Sequence, residues 1–321
     1  MIPKLLRLIE KNSRFLVAAH RNPDGDAVAS TLALSNGLAE MGKDVLAYNA
    51  DPVPLTFAFL PGAAAMVREV SAESAPFDVG FILDSGELSR AGEHLAGLCT
   101  TLVNIDHHRD SELFGEVNFL DPAASSTGVL IHRLLKNCPA YRFSTQVASC
   151  IYTAIVADTG SFRFANTDGE SFRIAAEMLE TGIDPAEISH QLYENQQACT
   201  LRLLARALAS LEVSHEGRVA TVTVTLADME QTGAGPAHTD SFINYPRSIR
   251  GVEVALLYRQ EKEGLFKVGF RSRKGIDVGR IARELGGGGH ANASGATVAG
   301  TRDEVEMIVL ERVRAELATG K

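Results

Sequence analysis

The chain has 321 residues, 45% hydrophobic and 22% charged, with no tryptophan and a formal net charge of −9. That length suits two domains on the usual prior of about 100–200 residues each, and the composition is that of an ordinary globular protein. The acidic total excludes a protein that coats long nucleic acid by neutralising many phosphates, and no apolar run approaches the ~20 residues that span a bilayer.

Charges at Lys4, Arg7, Glu10, Lys11 and Arg14 interrupt any signal-peptide core, so a cytoplasmic location is expected. Cys99, Cys138, Cys150 and Cys199 stand far apart with no Cys-x-x-Cys spacing. They read as small buried hydrophobes rather than a zinc knuckle or a redox pair.

Residues 2–10 read as a short amphipathic helix, and the strand 14–19 that follows ends in His20-Arg-Asn-Pro-Asp24-Gly-Asp26. Pro23 and Gly25 set a tight loop there, which can aim both carboxylates inward. Residues 27–41 have helical composition and stop at Gly42, a C-cap residue; 43–49 is a second strand. After the Pro-rich stretch 51–61, the run 79–83 ends in Asp84-Ser-Gly86, and the run 101–105 ends in Asp106-His107-His108. Strands alternating with helical stretches predict an α/β domain, a mostly parallel sheet with helices on both faces.

Residues 125–136 and 145–157 read as helices, the second with Ser144 as N-cap, so Asp158 falls at a helix end. Helical patterns continue through 169–181, 185–193 and 200–211. The expected organisation is a catalytic domain over 1–192, a helical linker over 193–210 and a smaller α+β domain over 211–321. In that second part, 219–226, 252–257 and 266–270 alternate at period two. A helical stretch at 278–285 leads into Gly286-Gly-Gly-Gly-His290, a short strand and a C-terminal helix from Arg302.

Apolar runs that repeatedly end in an acidic or imidazole side chain point to one site at the carboxyl edge of a parallel sheet. His20, Asp24, Asp26, Asp84, His107 and Asp158 supply four carboxylates and two imidazoles. Without a thiolate, that set suits two ions of the manganese or magnesium class better than zinc. Paired ions about 3.5–4 Å apart could share a bridging carboxylate and activate a water for in-line phosphoryl displacement. Any one of these residues alone would be a turn or a surface group; their recurrence at successive run ends is the signal.

Residues 247–283 carry ten Lys/Arg against four Asp/Glu, a locally basic segment suited to a compact anionic ligand. Gly286–Gly289, with Arg271, Ser272 and Arg273 upstream, reads as a phosphate- and nucleotide-binding loop in preference to a flexible linker.

Together these motifs resemble the DHH phosphoesterases, named for the sequence found here at Asp106-His107-His108. The first motif is His20-Arg-Asn-Pro-Asp-Gly-Asp-Ala27, the second Leu83-Asp-Ser85 and the fourth Ala157-Asp-Thr-Gly-Ser-Phe-Arg-Phe164. The stretch 286–295 resembles the glycine-rich signature of the DHH-associated domain, with four glycines before His290 where the family has three. Val28-Ala-Ser30 replaces the family's Gly-Ser wording with no evident chemical consequence. The likeness spans essentially the whole chain and is nearest to the nanoRNase branch.

The resemblance implies that His20, Asp24 and Asp84 hold one metal ion, and that Asp26, Asp84, His107 and Asp158 hold the other, with Asp84 bridging. It implies His108 at the scissile phosphate, Asp106 orienting an imidazole, and Arg271, Ser272, Gly288, Gly289 and His290 gripping the distal part of the substrate, with Arg163 as a further phosphate contact. The implied cofactors are two divalent ions, manganese or else magnesium. The implied partners are short RNA oligonucleotides and phosphorylated nucleotides such as 3′-phosphoadenosine 5′-phosphate, with no membrane and no long duplex nucleic acid; a homodimer is compatible with the family. Rival readings are a linear or cyclic dinucleotide phosphodiesterase, a RecJ-like single-strand exonuclease, a pyrophosphatase and a non-catalytic nucleotide sensor.

Overall fold

A computed structural model describes residues 1–273 and 275–319, with the backbone alone for residues 72, 290 and 319. The chain divides into two compact units, Met1–Asn195 and Gln196–Lys321. Among the described residues, no helix is long and apolar enough to cross a membrane.

The first unit is built on five parallel strands: β1 (Arg14–Ala19), β2 (Asp44–Tyr48), β3 (Phe77–Leu83), β4 (Cys99–Asp106) and β5 (Val117–Leu120). Their order is β2-β1-β3-β4-β5. Strands of a parallel sheet are covered on both faces and read as continuous apolar runs. In β3 every residue from Val79 to Leu83 is buried. The helices are α1 (Ile2–Lys11), α2 (Gly25–Glu40), α3 (Leu88–Ala91), α4 (Thr127–Lys136), α5 (Thr145–Asp158), α6 (Gly169–Glu180) and α7 (Pro185–Ser189).

They lie on both faces, as the alternation predicts, but unequally. One face packs Phe15, Val17, Phe81 and Val103 under α1, α2, α4, α5 and α6. On the other, Leu16, Ile82 and Leu102 pack with α3 and the 3₁₀ turn Glu93–Leu98, through Ala91 and Leu95, and with the loop residues Val67, Val70 and Phe114.

Sheet growth reverses at β1, with β2 on one side and β3 on the other. Such a switch point opens a crevice at the carboxyl ends of the two diverging strands, and His20 and Asp84 stand immediately beyond the ends of β1 and β3. The helices close in on the same edge. A Cβ at Gly25 would meet that of Ala157 at 2.5 Å, and one at Gly128 would meet that of Ala154 at 2.5 Å. Without side chains at these two positions, the N-termini of α2 and α4 approach the C-terminal half of α5.

The first-motif loop is shorter than expected. Asp24 is the N-cap of α2, its carboxylate accepting from the Ala27 N–H at 3.1 Å, so Gly25 and Asp26 already belong to the helix. Aspartate is favoured both as a cap and in the first turn, where orphan N–H groups and the helix dipole favour negative charge.

The second unit holds a six-stranded mixed sheet of β6 (Glu212–Ser214), β7 (Val219–Val224), β8 (Val254–Lys262), β9 (Leu265–Ser272), β10 (Gly288–His290) and β11 (Ala293–Ala299), ordered β10-β11-β9-β8-β7-β6. Its helices are α8 (Ala198–Ala209), α9 (Leu226–Thr232), α10 (Asn244–Ser248), α11 (Val278–Glu284) and α12 (Arg302–Thr319). The junction helix α8 also packs on this sheet, placing Leu203, Leu204 and Ala207 against Val222 and Leu257. Val305, Val309 and Val313 of α12 cover the opposite face over Tyr258 and Phe270.

Two expectations change here. The period-two pattern of β7 is not an alternation of exposure: all six residues are buried, since helices cover both faces, and Thr223 accepts from Arg302 Nε at 2.8 Å. The glycine stretch is not wholly a loop, because Gly288–His290 pair with β11 as an antiparallel strand.

Candidate metal centre

The carboxyl edge of the first sheet gathers His20, Asp26, Asp84 and Asp106, none more than 5% exposed. Asp84 is central. It follows β3 with a left-handed φ of +53°, a conformation that costs a non-glycine residue about 1–2 kcal/mol and marks functional turns. Its Oδ2 lies 3.7 Å from His20 Nε2, and its Oδ1 lies 3.6 Å from His107 Nε2 and 3.5 Å from His108 Nδ1.

Asp26 and Asp158 approach the same His107 Nε2, at 3.7 and 3.9 Å. His20, Asp24 and Asp84 have donor atoms within 4.8 Å of one another, as do Asp26, His107 and Asp158; Asp84, His107 and His108 form a third such group. The structure thus brings together all six residues expected as ligands, in two groups of three linked through Asp84 and His107.

The imidazoles are aimed by their outer nitrogens. His20 Nδ1 meets the Arg21 carbonyl at 2.8 Å and His107 Nδ1 meets that of Ala124 at 3.2 Å. A carbonyl only accepts, so each Nδ1 carries a proton and each Nε2 is the ring atom that faces the carboxylates. His108 is held differently. Its Nδ1 is 2.5 Å from Asp106 Oδ1, which also accepts from the His108 N–H, while Asp106 Oδ2 accepts from the Gly86 N–H at 2.7 Å. Asp106 is fully buried and orients His108.

Charge in this pocket is unbalanced by design of the residue set. Burial raises the Asp26 carboxyl well above the usual range, and Asp84 adds to it. Burial likewise lifts Asp158 to about 7, against the pull of His107. Burial opposes the charge on His107, but Asp158, Asp84 and Asp26 outweigh it and raise the ring to about 9. For Asp84 itself burial is outweighed by the His20, His108 and His107 rings, and the group is held well below the ordinary value. Protons thus supply the positive charge that clustered carboxylates require. Hard oxygen donors with two imidazoles fit divalent cations of the manganese or magnesium class.

Several contributors escape a reading by residue type. Asp26 accepts from Ser30 Oγ at 2.8 Å, from the Thr127 N–H at 2.6 Å and from the Gly128 N–H at 3.0 Å. Ser30 therefore has a consequence that the motif comparison does not give it. Thr127 Oγ1 donates to Asp84 Oδ1 at 3.0 Å. Asn166 Nδ2 donates to Asp158 Oδ2 at 3.0 Å. The only sequence signal was the small, hydroxyl-rich string Ser125-Ser126-Thr127-Gly128 ahead of an apolar helix.

Of the residues expected at the substrate, one lies in the first unit and the others in the second, where the β9 residue Arg271 and the β10 residue His290 both pair in register with Ala293 of β11. Arg163 is exposed, and its Nε is turned onto the Gly160 carbonyl at 2.6 Å. In the second unit, Arg271 Nη1 donates to the Phe270 carbonyl at 3.0 Å. Ser272 is buried and commits its hydroxyl to the Ile276 carbonyl at 2.7 Å. Gly288 has open space where a Cβ would stand, whereas at Gly289 (φ +132°) a Cβ would lie 2.6 Å from Ser294 Cα and 2.7 Å from the Ala293 carbonyl. The side chain of His290 lies outside the described residues.

The chain matches the model of the DHH family N-terminal domain over residues 14–155 and that of the DHHA1 domain over residues 217–319. It is 33% identical over 320 residues to a Thermus thermophilus protein named bifunctional oligoribonuclease and PAP phosphatase NrnA, covering 99% of this chain and 94% of that one. A Bacillus subtilis protein of the same name is 26% identical over 97% of each chain. A solved structure described as an exopolyphosphatase-related protein from Bacteroides fragilis matches with a TM-score of 0.91 at 28% identity, over 97% of this chain and 95% of that one.

Proposed function

The chain belongs to the DHH family, with a DHHA1 domain in its second unit, and on that premise we propose that it hydrolyses short oligoribonucleotides to mononucleotides and removes the 3′-phosphate of 3′-phosphoadenosine 5′-phosphate. The observation that carries this reading is the pair of ligand groups joined through Asp84 and His107, with the Nε2 atoms of His20 and His107 turned inward. Two relatives matched over nearly their full length carry both activities in their names.

In this proposal His20, Asp24 and Asp84 hold one divalent ion, and Asp26, Asp84, His107 and Asp158 hold a second. When bound, such ions of the manganese class, or magnesium, supply a water of lowered pKa and stabilise phosphoryl oxygens. The protein's own groups do the rest. His108, with Nδ1 fixed by Asp106, keeps Nε2 as the atom that can place a proton or a positive charge at the scissile phosphate. Arg271, Gly288, Gly289 and His290 contact the distal part of the substrate. Ser272 supports them by tying the turn at Ile276, and Arg163 is a phosphate contact that must first leave the Gly160 carbonyl. A cytoplasmic location completes the proposal.

A manganese-supplemented assay offering pApA, a labelled RNA five-mer, a labelled DNA 24-mer and 3′-phosphoadenosine 5′-phosphate side by side tests it. Rapid loss of the short RNAs and the mononucleotide, with the 24-mer barely touched, is the expected result. Preference for the 24-mer would favour a RecJ-like exonuclease, and no turnover despite bound metal a nucleotide sensor.

A further inference from the structure

Asp158 differs from its neighbours in the cluster. Its side chain is 29% exposed, against 1% for Asp26 and 3% for Asp84, so packing alone holds it less firmly. It is also the last residue of α5, and the chain beyond it takes an unusual course. Gly160, Ser161 and Phe162 have φ of +55°, +60° and +61°, three successive residues in the left-handed region. Single residues visit that region, and runs of residues with side chains avoid it. A strained turn next to a candidate ligand invites a functional reading.

The turn brings the chain back onto Asp158. Phe162 N–H donates to Thr159 Oγ1 at 3.0 Å, and the N–H groups of Arg163 and Phe164 both donate to the Thr159 carbonyl. Asn166 then reaches the ligand. Its Nδ2 is 3.0 Å from Asp158 Oδ2, 3.1 Å from the Asp158 carbonyl and 2.9 Å from the Ser125 carbonyl.

Two lateral contacts hold the turn from outside. Ser161 Oγ and the Tyr193 hydroxyl share a hydrogen bond of 2.7 Å, and the Phe162 ring stacks on Phe172 with centroids 4.7 Å apart. Tyr193 lies on the π-helical turn His190–Glu194, a deformation frequent at functional sites. Beneath the turn is a cavity of about 130 Å³ lined by Tyr152, Val156, Ser161, Phe162, Ile188 and Tyr193. The Phe162 ring also packs against the core of the first unit and the Phe164 ring closes over Gly160, so on the cavity side the Ser161–Tyr193 hydrogen bond is the polar contact that bears on the shape of the turn.

We propose that the Ser161–Tyr193 hydrogen bond is a latch that positions Asp158 for metal binding, by holding the left-handed turn that keeps Asn166 on the carboxylate. Tyr193 and Ser161 are positioning residues in this account, which rests on the assignment of Asp158 as a metal ligand.

The test is calorimetric titration of manganese into the full chain, for wild type, Asp158→Ala and Tyr193→Phe. Asp158→Ala identifies the binding phase that depends on this carboxylate. Tyr193→Phe, at a residue 47% exposed, is expected to weaken that same phase by roughly threefold and spare the other, less than the roughly tenfold or more that loss of a ligand's direct partner such as Asn166 brings. At saturating manganese its KM for pApA should stay within about twofold of wild type, and kcat should recover. Unchanged manganese affinity, or a kcat loss that manganese does not restore, overturns the latch. Absence of manganese binding to the wild type would instead overturn the metal assignment beneath it. Should Tyr193→Phe fold poorly, Ser161→Gly decides: it accepts the left-handed backbone but lacks the hydroxyl, so wild-type manganese affinity in that variant also overturns the proposal.

Discussion

In the first unit, residues singled out by type alone converge: His20, Asp26, Asp84 and His107 turn on one another at the end of a parallel sheet. In the second, Arg271, Ser272, Gly288 and Gly289 lie along strands where the fold uses several of them. Ser272 ties down a turn, and Gly289 admits the neighbouring backbone. Buried carboxylates and imidazoles bring desolvation and mutual repulsion that folding does not require. Glycines and a buried serine have ordinary structural uses. A motif of the first kind therefore speaks for chemistry, and one of the second kind speaks for chemistry and folding together.

The sharpest way to break this contrast is Asp84→Ala. It removes the carboxylate shared by both proposed ions, and kcat on pApA should fall by roughly a hundred- to a thousandfold. Retention of more than about a tenth of wild-type kcat would sink the two-ion assignment. Asp106→Asn should lower kcat by about ten- to a hundredfold, since an amide cannot hold the His108 Nδ1 proton as a carboxylate does. Its manganese affinity should hold, because Asp106 belongs to none of the ligand groups; a loss of manganese binding instead would make Asp106 part of the metal centre.

The second unit is probed by a pair of alanines. Gly289→Ala places a Cβ against backbone at a left-handed φ and should lower unfolding stability by about 2 kcal/mol, a factor of roughly thirty. Gly288→Ala meets open space and should leave denaturant midpoints nearly unchanged while raising KM. Equal stability losses would show that the glycine stretch serves folding alone.

The smallest effect concerns protons. Asp158, raised to about 7, and His107, raised to about 9, hold protons at neutral pH that a cation must displace. Manganese affinity should therefore rise with pH across that range, by at most about tenfold per unit for each displaced proton. Titration in buffers of differing ionisation heat measures the protons released. A release of zero and a flat pH profile would remove the electrostatic argument for the centre.

Residue types at the ends of apolar runs were enough to point to the candidate metal centre and predict the parallel sheet, because strand C-termini are where such a sheet exposes a crevice. Asp158 could be placed at a helix end because the stripe of α5 and its Ser144 cap are local signals. Local pattern did not reveal that Ser30, Thr127 and Asn166 fasten Asp26, Asp84 and Asp158, since the partners of Thr127 are 101 and 43 residues away in the chain. Thr127 gains its partners only where α4 approaches α2 and the sheet edge, whereas Ser30 stands one turn from Asp26 in α2 and Asn166 follows Asp158 by 8 residues, positions at which a serine or an asparagine has many ordinary roles.

The sequence by itself determined the donor chemistry of the candidate centre, since four carboxylates and two imidazoles at run ends have no comparable use in a core. It determined the two-part architecture as well, through the change from helical to period-two patterning after residue 211. Tertiary structure alone decided how those ligands are aimed. The aim of His107 depends on the carbonyl of Ala124, the anchoring of Asp26 and Asp84 on Thr127, and the turn beyond Asp158 on a tyrosine 32 residues beyond Ser161. Orientation is a property of pairs of atoms brought together by folding, and one-dimensional pattern carries no distances between them.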